Sequence, residues 1–228
     1  DLVVYRELTS GIYFGDKGRV EGGSAAFDTC YYTVEEITRI AKMAFEAATR
    51  RRGLLTLVDK ANVLESSRLW REVVQKMALE YPDVSVDYLF VDNAAMQVVQ
   101  QPSRFDVILT ENMFGDIISD ETSVITGSIG LLPSASLGLS SSLFEPIHGS
   151  YPEAAGKDIA NPLATILSLA MLLEHVGLIE EARRVEAAVE LVIDKGLVTP
   201  DLNDELFISC SKVGDVVAMM VESDLDED

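Results

Sequence analysis

From residue 33 to residue 110 the apolar residues switch repeatedly between the period of a helix and the period of a strand, which narrows the possible folds more than any other feature. In "TVEEITRIAKMAFEAATRRR", Ile37, Ile40, Ala41, Ala44 and Phe45 recur at helical intervals, and Thr33 with Glu36 has capping-box spacing. "GLLTLVDK" then reads as a strand ending in Lys60, "LESSRLWREVVQKMALEY" as a helix, and "VSVDYLFVD" as an alternating strand ending at Asp92. "NAAMQVVQQP" is a short helix and "FDVILT" another strand. This alternation predicts an α/β fold. Lys60 then sits at the mouth of a sheet, where active-site groups of such folds gather, although a surface lysine leaving its strand fits the same residues.

Residues 2 to 32 hold strand-like "LVVYREL" and "GIYFG", turn-rich "GDKGRVEGG", and "AAFDTCYYT", which predict strands and a hairpin-like arm. "NMFGDIISDETSVITGSIGLL" reads as a helix that loosens at its glycines. The Gly/Ser/Pro-rich "GSIGLLPSASLGLSSS" shifts the composition and predicts a crossing between domains near residue 127. Past it come a long loop, "FEPIHGSYPEAAGKDIANP", and helical patterns in "LATILSLAMLLEHVG", "IEEARRVEAAVELVIDKG" and roughly residues 203 to 222.

With 38 acidic against 18 basic residues the net charge is −20, a field that repels phosphate and argues against nucleic-acid or anionic-membrane partners. The acidic tail "ESDLDED" reads as a solvated or frayed end. Cys30 and Cys210 lie far apart in no metal or redox spacing, which fits a reducing compartment and predicts a cytoplasmic location. No apolar run has the length of a membrane span.

Three carboxylates stand out by position. Asp92 ends a predicted strand, while Asp116 and Asp120 in "GDIISD" are four apart and share a helical face. Like charges at that spacing suit a solvated face, or oxygen ligation of Mg²⁺ or Mn²⁺. The chain has neither a GxGxxG fingerprint nor a GxxxxGK[ST] loop. Its loop around His148 is instead rich in small residues and runs into a helix after Asn161 and Pro162, which suits either a ligand against the backbone or a long structural loop.

The strings "RELTSGIYFG", "VDKANVL", "VDNAAMQ", "FDVILTENMFGDIISDETSVITGSIGLLPSAS" and "EPIHGSYPEAAGKDIANP" are similar, in order and over nearly the whole chain, to those of the β-decarboxylating dehydrogenases, the isocitrate/isopropylmalate family. The resemblance implies that family's fold: a non-Rossmann dinucleotide site, a dimerisation domain over residues 1–126 with an arm over about 12–32, and part of the large cofactor-binding domain over 127–228. It implies oxidation of a 3-substituted malate at C2 by NAD with help from Mg²⁺ or Mn²⁺, then loss of the β-carboxylate. The isopropylmalate reaction of leucine biosynthesis is the expected one, with isocitrate, homoisocitrate, D-malate or tartrate as the alternatives. Sites shared between the subunits of a homodimer are also implied.

Residue by residue, the resemblance makes Lys60 the base on the C2 hydroxyl, acting through water, and Tyr13 the acid that protonates C3. Arg6 is implied as the clamp on a substrate carboxylate, Asn62 as a contact near the nicotinamide, and Asp92, Asp116 and Asp120 as the metal aspartates. For the cofactor, Glu145, His148, Gly149, Ser150 and Asn161 fall in the family's adenosine loop. Glu153 can accept from a ribose 2′-OH and repel a 2′-phosphate, which favours NAD over NADP. Family chains carry a long segment before "REL", so the chain is expected to be a C-terminal fragment, inactive alone, with a non-catalytic dimerisation module as the alternative. A Mg²⁺-dependent phosphohydrolase is disfavoured by the missing phosphate loop.

Overall fold

Thr33 and Glu36 close the capping box that their spacing predicts: Thr33 Oγ1 accepts from Glu36 N at 3.2 Å and Glu36 Oε2 from Thr33 N at 2.7 Å. These distances come from a computed structural model, which describes residues 1–223; most of the acidic tail lies outside the described residues. The chain divides into two compact units, Asp1–Ile125 and another from Thr126 onward.

In the first unit β1 (Val3–Arg6) is followed by an antiparallel hairpin, β2 (Lys17–Val20) with β3 (Ala25–Asp28). Helix and strand then alternate through α1 (Val34–Arg50), β4 (Leu54–Asp59), α2 (Glu65–Ala78), β5 (Ser85–Phe90), α3 (Val91–Gln100), β6 (Val107–Thr110) and α4 (Asn112–Ser123). The main sheet is wholly parallel in the order β1-β6-β4-β5. Its two central strands, β4 and β6, are buried along almost their whole length because both faces are covered. Leu55, Leu57 and Leu109 pack with Ile37, Phe45, Trp70 and Val74, whereas Val58 and Ile108 pack with Ala94, Val98, Phe105 and Ile118. Burying one such Leu or Phe side chain stabilises the fold by about 2 kcal/mol before entropy is counted.

The second unit begins with an antiparallel hairpin, β7 (Pro133–Leu137) and β8 (Ser142–Pro146), followed by α5 (Leu163–His175), α6 (Ile179–Asp194) and α7 (Cys210–Glu222). Leu163, Val189, Val192, Val213 and Val217 form its main buried cluster.

The hairpin-like arm is present, with Lys17–Val20 of the turn-rich stretch paired to Ala25–Asp28. Three local expectations change. "GIYFG" is no strand, since Gly11–Tyr13 forms a 3-10 turn with Gly11 at φ +78°. Asp92 does not end a strand; β5 stops at Phe90 and Asp92 lies in the first turn of α3. The Ser-rich run after residue 132 supplies the strands of a hairpin, so Glu145 is a strand residue and the loop proper starts after Pro146.

Candidate active site

The four strands are parallel, so their C-terminal ends share one edge of the sheet, where α/β proteins place ligand-binding groups. Arg6 closes β1, Lys60 follows β4, Asp92 sits one turn past β5, and α4 carries Asp116 just past β6.

Arg6 lies across the first turn of α4. Its Nε and Nη2 donate to Asn112 Oδ1 at 3.1 and 2.8 Å, and its Nη1 donates to Asp116 Oδ1 at 2.5 Å. Three of the five guanidinium N–H donors are thus engaged within the chain. The approach requires glycine at 115, because a Cβ there would lie 2.6 Å from Arg6 Cγ. Tyr13 Oη donates to the other oxygen of Asp116 at 2.6 Å, and the Arg6 guanidinium stands 5.6 Å from the centre of its ring. The bond to Asp116, with some burial and the carboxylate's charge, raises the Tyr13 phenol above its ordinary value.

Asn112 is the member of this cluster that sequence reasoning missed, although it falls inside the quoted "TENMFGDIISD". It is 1% exposed and held on every side: its N donates to Tyr32 Oη at 2.9 Å and its Nδ2 to the Ser10 carbonyl at 3.0 Å. Tyr32 Oη donates in turn to Glu111 Oε2 at 2.9 Å, and Glu111 Oε1 caps α4 by accepting from Phe114 N at 2.7 Å. Gly11 leaves room for that phenol, since a Cβ there would come within 2.1 Å of Tyr32 Oη.

Farther along the edge, Lys60 Nζ forms an ion pair with Asp92, whose carboxyl it holds below the usual range. The ammonium also sits 5.9 Å from the centre of the Phe90 ring. The turn beneath is fixed by Asp59, which accepts from Arg71 Nε at 2.6 Å and from Ala61 N at 2.9 Å, and by Ser67 Oγ, which accepts from Lys60 N at 3.0 Å. Asn62 is exposed in this turn.

Arg6, Tyr13 and Asp116 therefore come together, and so do Lys60 and Asp92, and among the described residues no hydrogen bond or ion pair joins one group to the other. Asp116 and the exposed Asp120 lie one helical turn apart. Among the described residues no third His, Cys, Asp or Glu joins them to make a metal-sized cluster. Their hard oxygen donors are of the kind that suits Mg²⁺ or Mn²⁺.

In the second unit the Glu145 carbonyl accepts from Ser134 Oγ at 2.7 Å across the hairpin. His148 is half-buried rather than exposed. Its Nδ1 lies 2.9 Å from the Gly149 carbonyl, and its buried Nε2 is without a hydrogen-bond partner, as suits a polar ligand atom. Gly149 and Ser150 are exposed, and a Cβ on Gly149 would meet nothing. Glu153 projects from the 3-10 turn Pro152–Ala154 and is exposed. Asn161 caps α5, its Oδ1 accepting from Leu163 N at 3.0 Å.

Known proteins resemble this one over almost all of the chain. The 3-isopropylmalate dehydrogenase of Clostridium acetobutylicum is 59% identical over 209 residues, 90% of this chain and 58% of its own length. That of Thermotoga maritima is 54% identical over 225 residues, 97% of this chain and 63% of its own. Among solved structures, an isocitrate dehydrogenase from Methylococcus capsulatus superposes with a TM-score of 0.93 at 42% identity, covering 97% of this chain and 67% of that one. A β-decarboxylating dehydrogenase from Thermococcus kodakarensis gives 0.84 at 40% identity, covering 95% and 63%. The chain thus spans about 60% of the length of the curated relatives it matches. With residues 1–217 also matched by the profile of the family described as isocitrate/isopropylmalate dehydrogenase, the chain belongs to that family.

Proposed function

We propose that the full-length protein catalyses the NAD-dependent oxidative decarboxylation of (2R,3S)-3-isopropylmalate to 2-oxo-4-methylpentanoate, as in leucine biosynthesis. The observation that carries this reading is the Arg6–Asp116–Tyr13 cluster, which sets a carboxylate clamp, a hard-metal ligand and a phenolic acid side by side at the sheet edge.

Each group has a task suited to its chemistry. Arg6 holds a substrate carboxylate with the donors that Asn112 and Asp116 leave free. As the neutral amine, Lys60 receives the C2 hydroxyl proton at Nζ through water, and Tyr13 delivers a proton from Oη to C3 after CO₂ departs. Asp116 and Asp120 of one subunit, with Asp92 of another, would hold Mg²⁺ or Mn²⁺. A bound cation supplies Lewis-acid polarisation at the reacting oxygens. The division of base and acid between two clusters that no hydrogen bond joins among the described residues supports a homodimer with shared sites, as does exposed apolar surface at Phe14, Val20, Phe27, Ile117 and Val124. Glu145, His148, Gly149, Ser150 and Asn161 bind the adenosine of NAD, and Glu153 accepts from its ribose.

The relatives' name favours isopropylmalate, while the structural likeness to an isocitrate dehydrogenase keeps the sister substrates in the test. The full-length gene product, supplied with Mg²⁺ and NAD, should form NADH with isopropylmalate at least roughly a hundredfold faster than with isocitrate or D-malate, as a shaped pocket can discriminate. Preference for another malate would move the substrate and keep the chemistry. No NADH from any of them would overturn the proposal.

A further inference from the structure

Asn161 is held more tightly than capping requires. Its Oδ1 is fixed by Leu163 N, and its Nδ2 donates to Asp201 Oδ2 at 3.0 Å. Asp201, forty residues on, is itself oriented by two further donors: Ser128 Oγ on the same oxygen and Thr199 Oγ1 on Oδ1 at 2.6 Å. Thr199 is fully buried, which anchors this carboxylate in the body of the second unit. On its other side Asn161 rests against Gly130, where a Cβ would lie 2.6 Å from Asn161 Cβ and 3.1 Å from its Nδ2. Ser128 Oγ also accepts from Gly130 N at 3.0 Å, so one hydroxyl orients both the carboxylate and the glycine wall.

An amide fixed in this way retains one N–H and one carbonyl lone pair, a donor beside an acceptor. That pair matches the edge of adenine, which offers an amino group next to a ring nitrogen. A second tie joins the same stretches of chain. Asp158 Oδ1 accepts from Ser211 N at 2.9 Å, and the Asp158 carbonyl accepts from Cys210 N at 2.9 Å, with Asp158 held at φ +55°. The loop is therefore fastened near its end to the segment that precedes and starts α7.

Resting on the reading of residues 145–161 as the cofactor loop, we infer that Asp201 is a positioning residue for NAD: through Asn161, and with Gly130 as the opposing wall, it pre-orients the amide that reads adenine. Its effect falls on cofactor binding and not on the chemical step.

The test is made on the full-length gene product, measuring NAD and ADP-ribose affinity by calorimetry beside steady-state kinetics. Loss of one oriented hydrogen bond corresponds to roughly tenfold in affinity, so D201A and, by the independent steric route, G130A should each weaken NAD and ADP-ribose about tenfold. Substrate KM and kcat at saturating NAD should stay within about twofold of wild type for the same reason. D201N, which keeps an acceptor toward Asn161 and turns an N–H toward Thr199, should recover most of the affinity. Should D201A not fold, S128A, which removes one donor, should show the same cofactor-selective loss to a smaller degree. Unchanged NAD affinity in the folded variants overturns the inference, as does an equal loss in every parameter that D201N fails to rescue. A wild-type protein that turns over malate substrates with NAD keeps the functional reading intact whichever way these variants behave, whereas a wild type that binds no NAD overturns both.

Discussion

Tyr13 Oη donates a 2.6 Å hydrogen bond to Asp116 Oδ2, joining the turn after β1 to the helix after β6 across 103 residues. Tyr13 is 42% exposed, so its hydroxyl contributes little to stability and is within reach of a substrate. Tyr13→Phe should lower kcat by 10²–10⁴-fold, roughly the range for loss of a positioned general acid. The thermal midpoint should move by no more than a degree or two. Near-normal turnover by the folded variant would remove Tyr13 from the proposed mechanism.

Gly115→Ala tests the clamp without touching its charge. The new methyl would press on Arg6 Cγ, Cβ and Cδ, at 2.6, 2.9 and 3.0 Å, and push the guanidinium away from Asn112 and Asp116. Overpacking of this kind costs about 1–3 kcal/mol. The expected result is a malate-substrate KM raised roughly tenfold with NAD affinity unchanged, equivalent to about 1.4 kcal/mol of lost orientation. Unaltered KM would place the carboxylate clamp elsewhere.

Asp106 is expected to contribute to the acid stability of the first unit. Its side chain is 0% exposed, and it accepts from Arg51 Nε at 2.8 Å and Arg52 N at 2.9 Å. Burial pushes its carboxyl up, but these donors outweigh burial and hold it below the ordinary range. A folded pKa below the unfolded one stabilises the fold above about pH 4, and that contribution is lost as pH falls through the folded value. Asp106→Ala should therefore cost about 3 kcal/mol at neutral pH. The gap between variant and wild type in urea midpoint should shrink between pH 5 and pH 3, as roughly set by ordinary carboxylate titration. A gap independent of pH would mean that Asp106 contributes packing alone.

What could be read from the residues was periodic or capped. Helix α1 carries both the 3.6-residue spacing and the Thr33–Glu36 box, and β4 ends one residue before Lys60, so both were legible. Asp92 was misplaced because α3 starts without a side-chain cap, and the alternation of "VSVDYLF" runs into it unmarked. The β7–β8 hairpin escaped because its strands, PSASL and SLFEP, are half-exposed and hold no β-branched residue. "GIYFG" turns because Gly11 faces the Tyr32 hydroxyl, a contact 21 residues away that no local pattern encodes. Asn112 was invisible for the same reason: its partners Arg6, Ser10 and Tyr32 become neighbours only once β1 pairs with β6.

On the proposed reading cofactor choice is testable at Glu153, whose exposed carboxylate on Pro152–Ala154 would repel a 2′-phosphate. Glu153→Lys reverses the sign of that field. With about 1 kcal/mol per charge pair at 4 Å in water, the NADP-to-NAD ratio of kcat/KM should rise by at least tenfold. An unchanged ratio would show that the ribose lies away from this turn.

Shared sites make the strongest demand on the assembly. If Lys60 serves one site and Asp116 of the same chain serves another, a dimer of Lys60→Ala with Asp116→Ala subunits keeps one site with both residues intact and one with neither. Random reassortment makes half of the dimers mixed, so about a quarter of the wild-type rate should return on co-refolding two variants that are each inactive alone. Sites complete within one chain would give no recovery in heterodimers isolated by two different affinity tags. The geometry favours recovery: Lys60 is paired with Asp92 and Asp116 with Arg6 and Tyr13, and no carboxylate bridges the two groups within one chain among the described residues. On the proposed reading, a base and an acid that must meet on one small substrate would be brought together by a second copy.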